Sequence, residues 1–292
     1  MVASIRPRRS LLFLPGSNPR ALEKARALPA DGLIFDLEDA VAPAAKEAAR
    51  ASIAAALAAG GYGARELVLR VNPLDSAWGH ADLDAAATMP IGAVLLPKVE
   101  SAERVRLTSD LLDTLGAPPE LGLWCMIETP RGVLAAAEIA AAHPRVAALV
   151  AGTSDLSKDL RIRERPDRMP LLPSLGLIVL AARAHGRAVL DGVHLDLGDA
   201  EGFAAVCRQG RDLGFDGKTL IHPQQIEPAN AAFSPGAEEV ARARRLVAAY
   251  DEAIASGKGA VRAEGRLVEA LHVEEAQRTL ALAAAIAARE GG

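Results

Sequence analysis

Cysteine is scarce in this chain: Cys125 and Cys207 are the only two in 292 residues, far apart and without partners at metal-ligand spacing. That excludes a disulfide framework and a thiolate zinc site, and makes a reducing cytoplasm the expected setting. Aromatic residues are 3% of the sequence and the formal net charge is −4, so there is neither a basic field nor a set of stacking platforms for nucleic acid. Long apolar runs are also missing. The run Leu11 to Leu14, after the basic Arg6-Pro7-Arg8-Arg9 stretch, stops at Pro15-Gly16 and is too short for a signal peptide. No other run reaches a membrane-spanning length, so no membrane association is expected.

What the chain has is apolar bulk, with 50% hydrophobic residues (mostly Ala, Leu and Val) against 24% charged. That balance supports a large core. Short runs rich in Val, Ile and Leu alternate with longer Ala-rich stretches of helical period, the βαβ pattern of a parallel sheet. The pattern predicts strands at Leu11–Leu14, Leu33–Asp36, Leu67–Val71, Ala93–Pro97, Leu121–Ile127, Ala147–Ala151, Ala188–Leu190 and Lys218–Ile221. Helices are expected between them, at Arg20–Leu28, Ala44–Ala59, Ala102–Leu115, Val133–Ala142, Ser174–His185 and Glu201–Leu213. Eight such units close into an α/β (β/α)₈ barrel over residues 1–235. Residues 236–292 remain as a C-terminal helical extension: a helix from Glu238 to Ala255, a Gly257-Lys258-Gly259 linker, a turn around Glu264-Gly265 and a last helix from about Val273. An arm on a glycine linker is expected to reach a neighbouring subunit of a homo-oligomer.

Barrel enzymes carry their chemistry where the strands end. Here strand two runs into Asp36-Leu37-Glu38-Asp39, strand three into Arg70-Val71-Asn72, strand four into Pro97-Lys98 and strand five into Glu128-Thr129-Pro130. The last three run into Gly152-Thr153-Ser154-Asp155, Asp191-Gly192 and His222-Pro223. Acids gathered in one mouth repel one another unless a cation lies among them. With oxygen donors and no His or Cys pair, Mg²⁺ is favoured, with Glu128 and Asp155 as its first-choice ligands. Any one of these acids could instead cap a helix or pair with Arg or Lys. Arg70 at the end of a buried strand needs an anion, which a substrate carboxylate or enolate, Glu38 or Asp39 could supply.

These blocks, in this order, resemble the citrate lyase β-subunit family of the HpcH/HpaI aldolase superfamily, which includes malyl-CoA, β-methylmalyl-CoA and citramalyl-CoA lyases. The resemblance runs through Arg9–Gly16 with Arg20, Glu23 and Lys24, Asp36–Val41 with Lys46 and Arg50, Leu69–Asn72, Leu96–Glu100, Ile127–Pro130, 152–160 and Gly217–Ile226. It implies that Glu128 and Asp155 bind Mg²⁺, that Arg70 and Glu128 contact a 2-keto-acid substrate, and that Glu38 and Asp39 orient metal-bound water and Arg70. It also implies a trimer or larger assembly such as a hexamer. Arg20 and Lys24, one turn apart, would hold coenzyme A phosphates, the alternative being a solvated basic face with Glu23. Two departures stand out. Many relatives carry Asp in a C-terminal Gly-x-x-Ile/Val-Asp pattern, as an acid/base reaching the next subunit, and this chain has Glu269 after Gly265-Arg266-Leu267-Val268. After Asp159-Leu160, where relatives commonly have Gly, it has Arg161.

The expected activity is therefore a Mg²⁺-dependent carbon–carbon lyase. It would cleave a 3-hydroxyacyl-CoA such as malyl-CoA into a 2-keto acid (glyoxylate or pyruvate) and acetyl-CoA or propionyl-CoA, with Glu269 taking the hydroxyl proton. A malyl-CoA thioesterase and a citryl-carrier-protein lyase subunit are the alternatives. A Schiff base on Lys98 is a rival mechanism, disfavoured because the nearby acids keep that amine protonated.

Overall fold

The computed structural model describes residues 5–255, 261–263 and 266–290. Eight parallel strands, β1 (Ser10–Pro15), β2 (Gly32–Asp36), β3 (Glu66–Arg70), β4 (Ala93–Leu96), β5 (Gly122–Ile127), β6 (Val146–Ala151), β7 (Ala188–Asp191) and β8 (Gly217–Leu220), pair in sequence order. β1 also pairs with β8, which closes the barrel. All eight coincide with the expected apolar runs to within two residues at either end.

Both faces of these strands are covered, and alternate residues therefore feed two apolar layers. Leu11, Ile34, Val68, Leu95, Trp124, Val150 and Leu190 fill the barrel interior. Leu12, Leu33, Leu69, Val94, Leu149 and Val189 point outward to the helices. The helical ring is α1 (Pro19–Lys24), α2 (Lys46–Ala59), α3 (Gly79–Thr88), α4 (Ala102–Thr114), α5 (Pro130–Leu134), α6 (Ala136–Ala141), α7 (Thr153–Leu160), α8 (Leu172–Ala184), α9 (Ala200–Leu213) and α10 (Ile226–Phe233).

Three of these helices, α3, α7 and α10, fall outside the periodic reading. In α3 the period is broken by Asp82, a fully buried acid, and α7 reads TSDLSKDL, with only two apolar residues. The single helix expected over Val133–Ala142 is two short ones, because Ala135 leaves helical geometry at φ −94°, ψ 3°.

The chain divides into two compact units, one of Arg8–Phe233 and one of Met1–Pro7 with Ser234–Gly292. In the second, α11 (Ala237–Ala255) packs against α12 (Ala270–Glu290), and β9 (Val261–Ala263) pairs antiparallel with β10 (Arg266–Val268). The expected glycine linker Gly257-Lys258-Gly259 and the Glu264-Gly265 turn lie outside the described residues. Among the described residues no helix is long and apolar enough to cross a membrane.

Candidate active site

Asp36 closes β2 and Arg70 closes β3, and the two share a rung of the sheet. Arg70 Nε and Nη2 each donate to one Asp36 oxygen at 2.6 Å, a bidentate pair with both groups buried. The same carboxylate accepts the backbone N–H of Glu38 at 2.9 Å, so it also turns the chain to present Glu38 to the mouth. Arg70 Nη1 lies 2.8 Å from Glu38 Oε2 and 3.9 Å from Asp39 Oδ2, and its guanidinium carbon is 4.8 Å from the Phe13 ring centre. The sequence reading offered Glu38 or Asp39 as the internal partner of Arg70. Glu38 is in contact as expected, but the dominant partner is Asp36, which that expectation left out, while Asp39 stays at the exposed margin. Desolvation pulls the Arg70 pKa down, but its bonds to Asp36 and the charge of Glu38 outweigh that and hold it above the ordinary value.

Lys98 follows β4 in the left-handed region, φ 48°, unusual for a residue with a side chain. Its backbone N–H donates to Glu128 Oε1 at 2.8 Å, and its Nζ reaches Glu38 Oε1 at 3.0 Å and Asp155 Oδ2 at 3.3 Å. Carboxylates from the ends of β2 and β5 and from the first turn of α7 thus meet at one residue. Burial lowers the Lys98 pKa, but the hydrogen bond and charge of Glu38 reverse this and leave it raised. A protonated ammonium is no nucleophile, so the geometry weighs against the Schiff base.

Burial pushes the Glu128 carboxyl up to about 7, against the opposing pull of the Lys98 N–H. Glu38 is raised too, first by burial, with Arg70 and Lys98 pulling the other way. Gly152, after β6, makes room for Glu128: a Cβ there would lie 2.6 Å from Oε2.

A buried brace supports this mouth. Lys46 Nζ donates to the carbonyls of Leu37 (2.9 Å) and Glu38 (3.0 Å) and to Asn72 Oδ1 (2.6 Å), and Asn72 Nδ2 donates to Asp82 Oδ2 at 2.6 Å. Lys46 and Asn72 stood in the recognised blocks without a role. Their spacing of 26 residues carries no local signal for this contact.

Other strand-end residues are held apart from this cluster. Asp191 is paired by Arg168 (2.8 Å) and Lys218 (3.2 Å), a buried triad that accounts for its charge. His222 caps a short 3₁₀ turn, its ring accepting from the Gln224 N–H. Arg20 and Lys24 are both exposed on α1, while Glu23 pairs with Arg26. Glu269 is exposed in the C-terminal unit, its N–H donating to His272 Nδ1 at 3.1 Å. Arg161 takes the left-handed conformation at φ 54° and ends α7. Two cavities open nearby. One of about 360 Å³ lies between α7 and the segment after β7, lined by Thr153, Ser157 and His194. The other, of about 320 Å³, is lined by Lys98 with Asp75 and Glu100.

The donor set suits a hard divalent ion. Among the described residues Asp36, Glu38, Glu128 and Asp155 gather around Arg70 and Lys98, so carboxylates outnumber cations there, and the buried Glu38 Oε2 accepts no well-aligned hydrogen bond although Arg70 Nη1 lies 2.8 Å away. Among the described residues no group of three or more His, Cys, Asp and Glu side chains is arranged around a metal position. A protein contribution of one or two carboxylates with water completing the shell is what Mg²⁺ takes.

The chain is similar to known proteins over nearly its whole length. The chain is 51% identical over 288 residues to a (3S)-malyl-CoA thioesterase of Cereibacter sphaeroides, with 99% of each chain covered. It is 38% identical to a citrate lyase subunit beta of Leuconostoc mesenteroides, covering 95% of this chain and 94% of that one. The crystal structure of protein CitE from Mycobacterium tuberculosis in complex with magnesium, acetoacetate and coenzyme A superposes with a TM-score of 0.77 at 36% identity, covering 94% of this chain and 97% of that one. A family model for HpcH/HpaI aldolase/citrate lyase matches residues 9–223, the full circuit of the barrel, and the chain belongs to that family.

Proposed function

We propose that this protein hydrolyses the thioester of a 3-hydroxyacyl-coenzyme A of the malyl-CoA type in a Mg²⁺-dependent reaction. The observation that carries it is the meeting of Glu38, Glu128 and Asp155 at Lys98, with Arg70 on Glu38, which supports a reading with one divalent ion and one carboxylate-bearing substrate. Hydrolysis is placed ahead of carbon–carbon cleavage because thioesterases match the chain at 51% identity, against 38% for a citrate lyase subunit.

In this reading Glu128 and Asp155 hold the ion, which when bound supplies positive charge to stabilise the developing oxyanion. Arg70, fixed along one edge by Asp36 and facing Glu38 through Nη1, supplies the positive charge that draws the substrate carboxylate to this mouth. Glu38 and Asp39 orient water and Arg70. Glu269, brought by the C-terminal unit of a neighbouring subunit in a cytoplasmic trimer or hexamer, takes the proton from the attacking water. Arg20 and Lys24 bind coenzyme A phosphates.

Lyase action on the same substrate is the second reading, favoured by the family match and by CitE structures holding magnesium with acetoacetate or pyruvate. Incubation with malyl-CoA and Mg²⁺ separates the two. Malate and free coenzyme A are expected, whereas glyoxylate and acetyl-CoA would establish the lyase. Turnover that survives a chelator or Glu128→Ala would reject both metal-dependent readings.

A further inference from the structure

We propose that Lys98 is a tethered cation occupying the place of the divalent ion: its ammonium bridges Glu38 and Asp155 and must release Asp155 before an ion can take Asp155 together with Glu128. The inference rests on the metal-dependent reading above and adds a competitor built into the chain. Its basis is geometric. Among the described residues Lys98 alone touches all three carboxylates, through its N–H to Glu128 and its Nζ to Glu38 and Asp155.

The left-handed backbone at φ 48° aims both contacts. That conformation costs a side-chain-bearing residue about 1 kcal/mol or more, and glycine takes it freely. If only the N–H were needed, glycine would serve better. The lysine is also free to leave. Its side chain is 41% exposed while that of Glu38 is 5% exposed, and it lines the 320 Å³ cavity, where Glu100 can receive an ammonium and Asp75 faces Arg104 at 3.8 Å. When it departs, Glu38 keeps Arg70 at 2.8 Å, so no buried acid is stranded.

A lysine that merely props the site and one that competes for it predict opposite signs. Removing a prop loosens the carboxylates and weakens metal binding. Removing a competitor deepens the negative potential and strengthens it.

The test is calorimetric titration of MgCl₂ into the full-length protein without substrate, for wild type, Lys98→Met, Lys98→Gly and Lys158→Met. Lys158 lies on α7 near Asp155, is 77% exposed and pairs with Asp159, so it controls for the loss of one charge nearby. Both Lys98 variants are expected to bind Mg²⁺ about tenfold more tightly or better, and Lys158→Met within about twofold of wild type, because exposed charges are strongly screened. Lys98→Gly relieves the positive φ, so it guards against misfolding of the methionine variant. Wild-type binding with unchanged or weaker binding in a folded Lys98 variant overturns the inference and leaves the proposed function standing. Absence of Mg²⁺ binding in every protein overturns both.

Discussion

Glu128 can stand where it does because residue 152 has no side chain: a Cβ on Gly152 would lie 2.3 Å from Glu128 Cβ and 2.6 Å from Oε2, both well inside contact distance. The clash falls on the stem of Glu128, so rotating its carboxylate does not relieve it. Gly152→Ala is expected to lower Mg²⁺ affinity by about tenfold or more while destabilising the fold by only about 1–3 kcal/mol, the range for overpacking. Calorimetric titration alongside urea unfolding checks this, and a variant with wild-type affinity would show that Glu128 is not a metal ligand.

Arg70 serves both stability and substrate. Arg70→Ala leaves Asp36 buried without its bidentate partner, and unfolding in urea should show a loss of about 3–5 kcal/mol. Arg70→Lys keeps the charge but cannot span both Asp36 oxygens. It is expected to cost about 100-fold in kcat/KM with a smaller stability loss.

Burial raises the Glu128 pKa from 4.5 to about 7, so the metal-free folded protein binds a proton that the unfolded chain has lost. The sign follows from proton linkage: this contribution is present below about pH 4.5 and is lost as pH rises through about 7. In the presence of a chelator, the Glu128-dependent part of stability should fall by about 3 kcal/mol across that window at about 1.4 kcal/mol per pKa unit. Glu128→Gln should remove this part of the slope. An identical pH profile in the variant would place the titration elsewhere.

Both thiols are buried, and desolvation raises their pKa values to about 12 for Cys125 and about 11 for Cys207. Neither should react with a disulfide reagent at pH 8 in the folded protein, and both should react in denaturant. Rapid modification of the native protein would contradict the packing around β5 or α9.

Most strands were legible because they are near-continuous apolar runs, buried on both faces and bounded by turn residues, whereas β8, Gly-Lys-Thr-Leu, carries Lys218 and Thr219 inside it. Local sequence carries that signal in full. The positions of Glu38, Arg70, Glu128 and Asp155 at the mouth followed from where those runs stop. The helices α3 and α7 were not legible, because their polar residues serve the brace and the site rather than an apolar stripe: Asp82 anchors Asn72, and Asp155 meets Lys98. Nothing local sets Gly152 apart from other glycines at strand ends; its role comes from Glu128 packed against it.

Composition and period alone determined a parallel barrel with a ring of acids at its mouth, since both follow from contacts between residues near in sequence and from where apolar runs end. Which acid faces which base was decided only by the closed sheet. Asp36 rather than Asp39 takes Arg70 because the register of β2 on β3 puts residues 34 apart on one rung. Lys98 meets Glu38, Glu128 and Asp155 because the strand ends that carry them converge around a single closed mouth. Pairings over such sequence separations depend on strand register and barrel closure, and neither is written in any one segment.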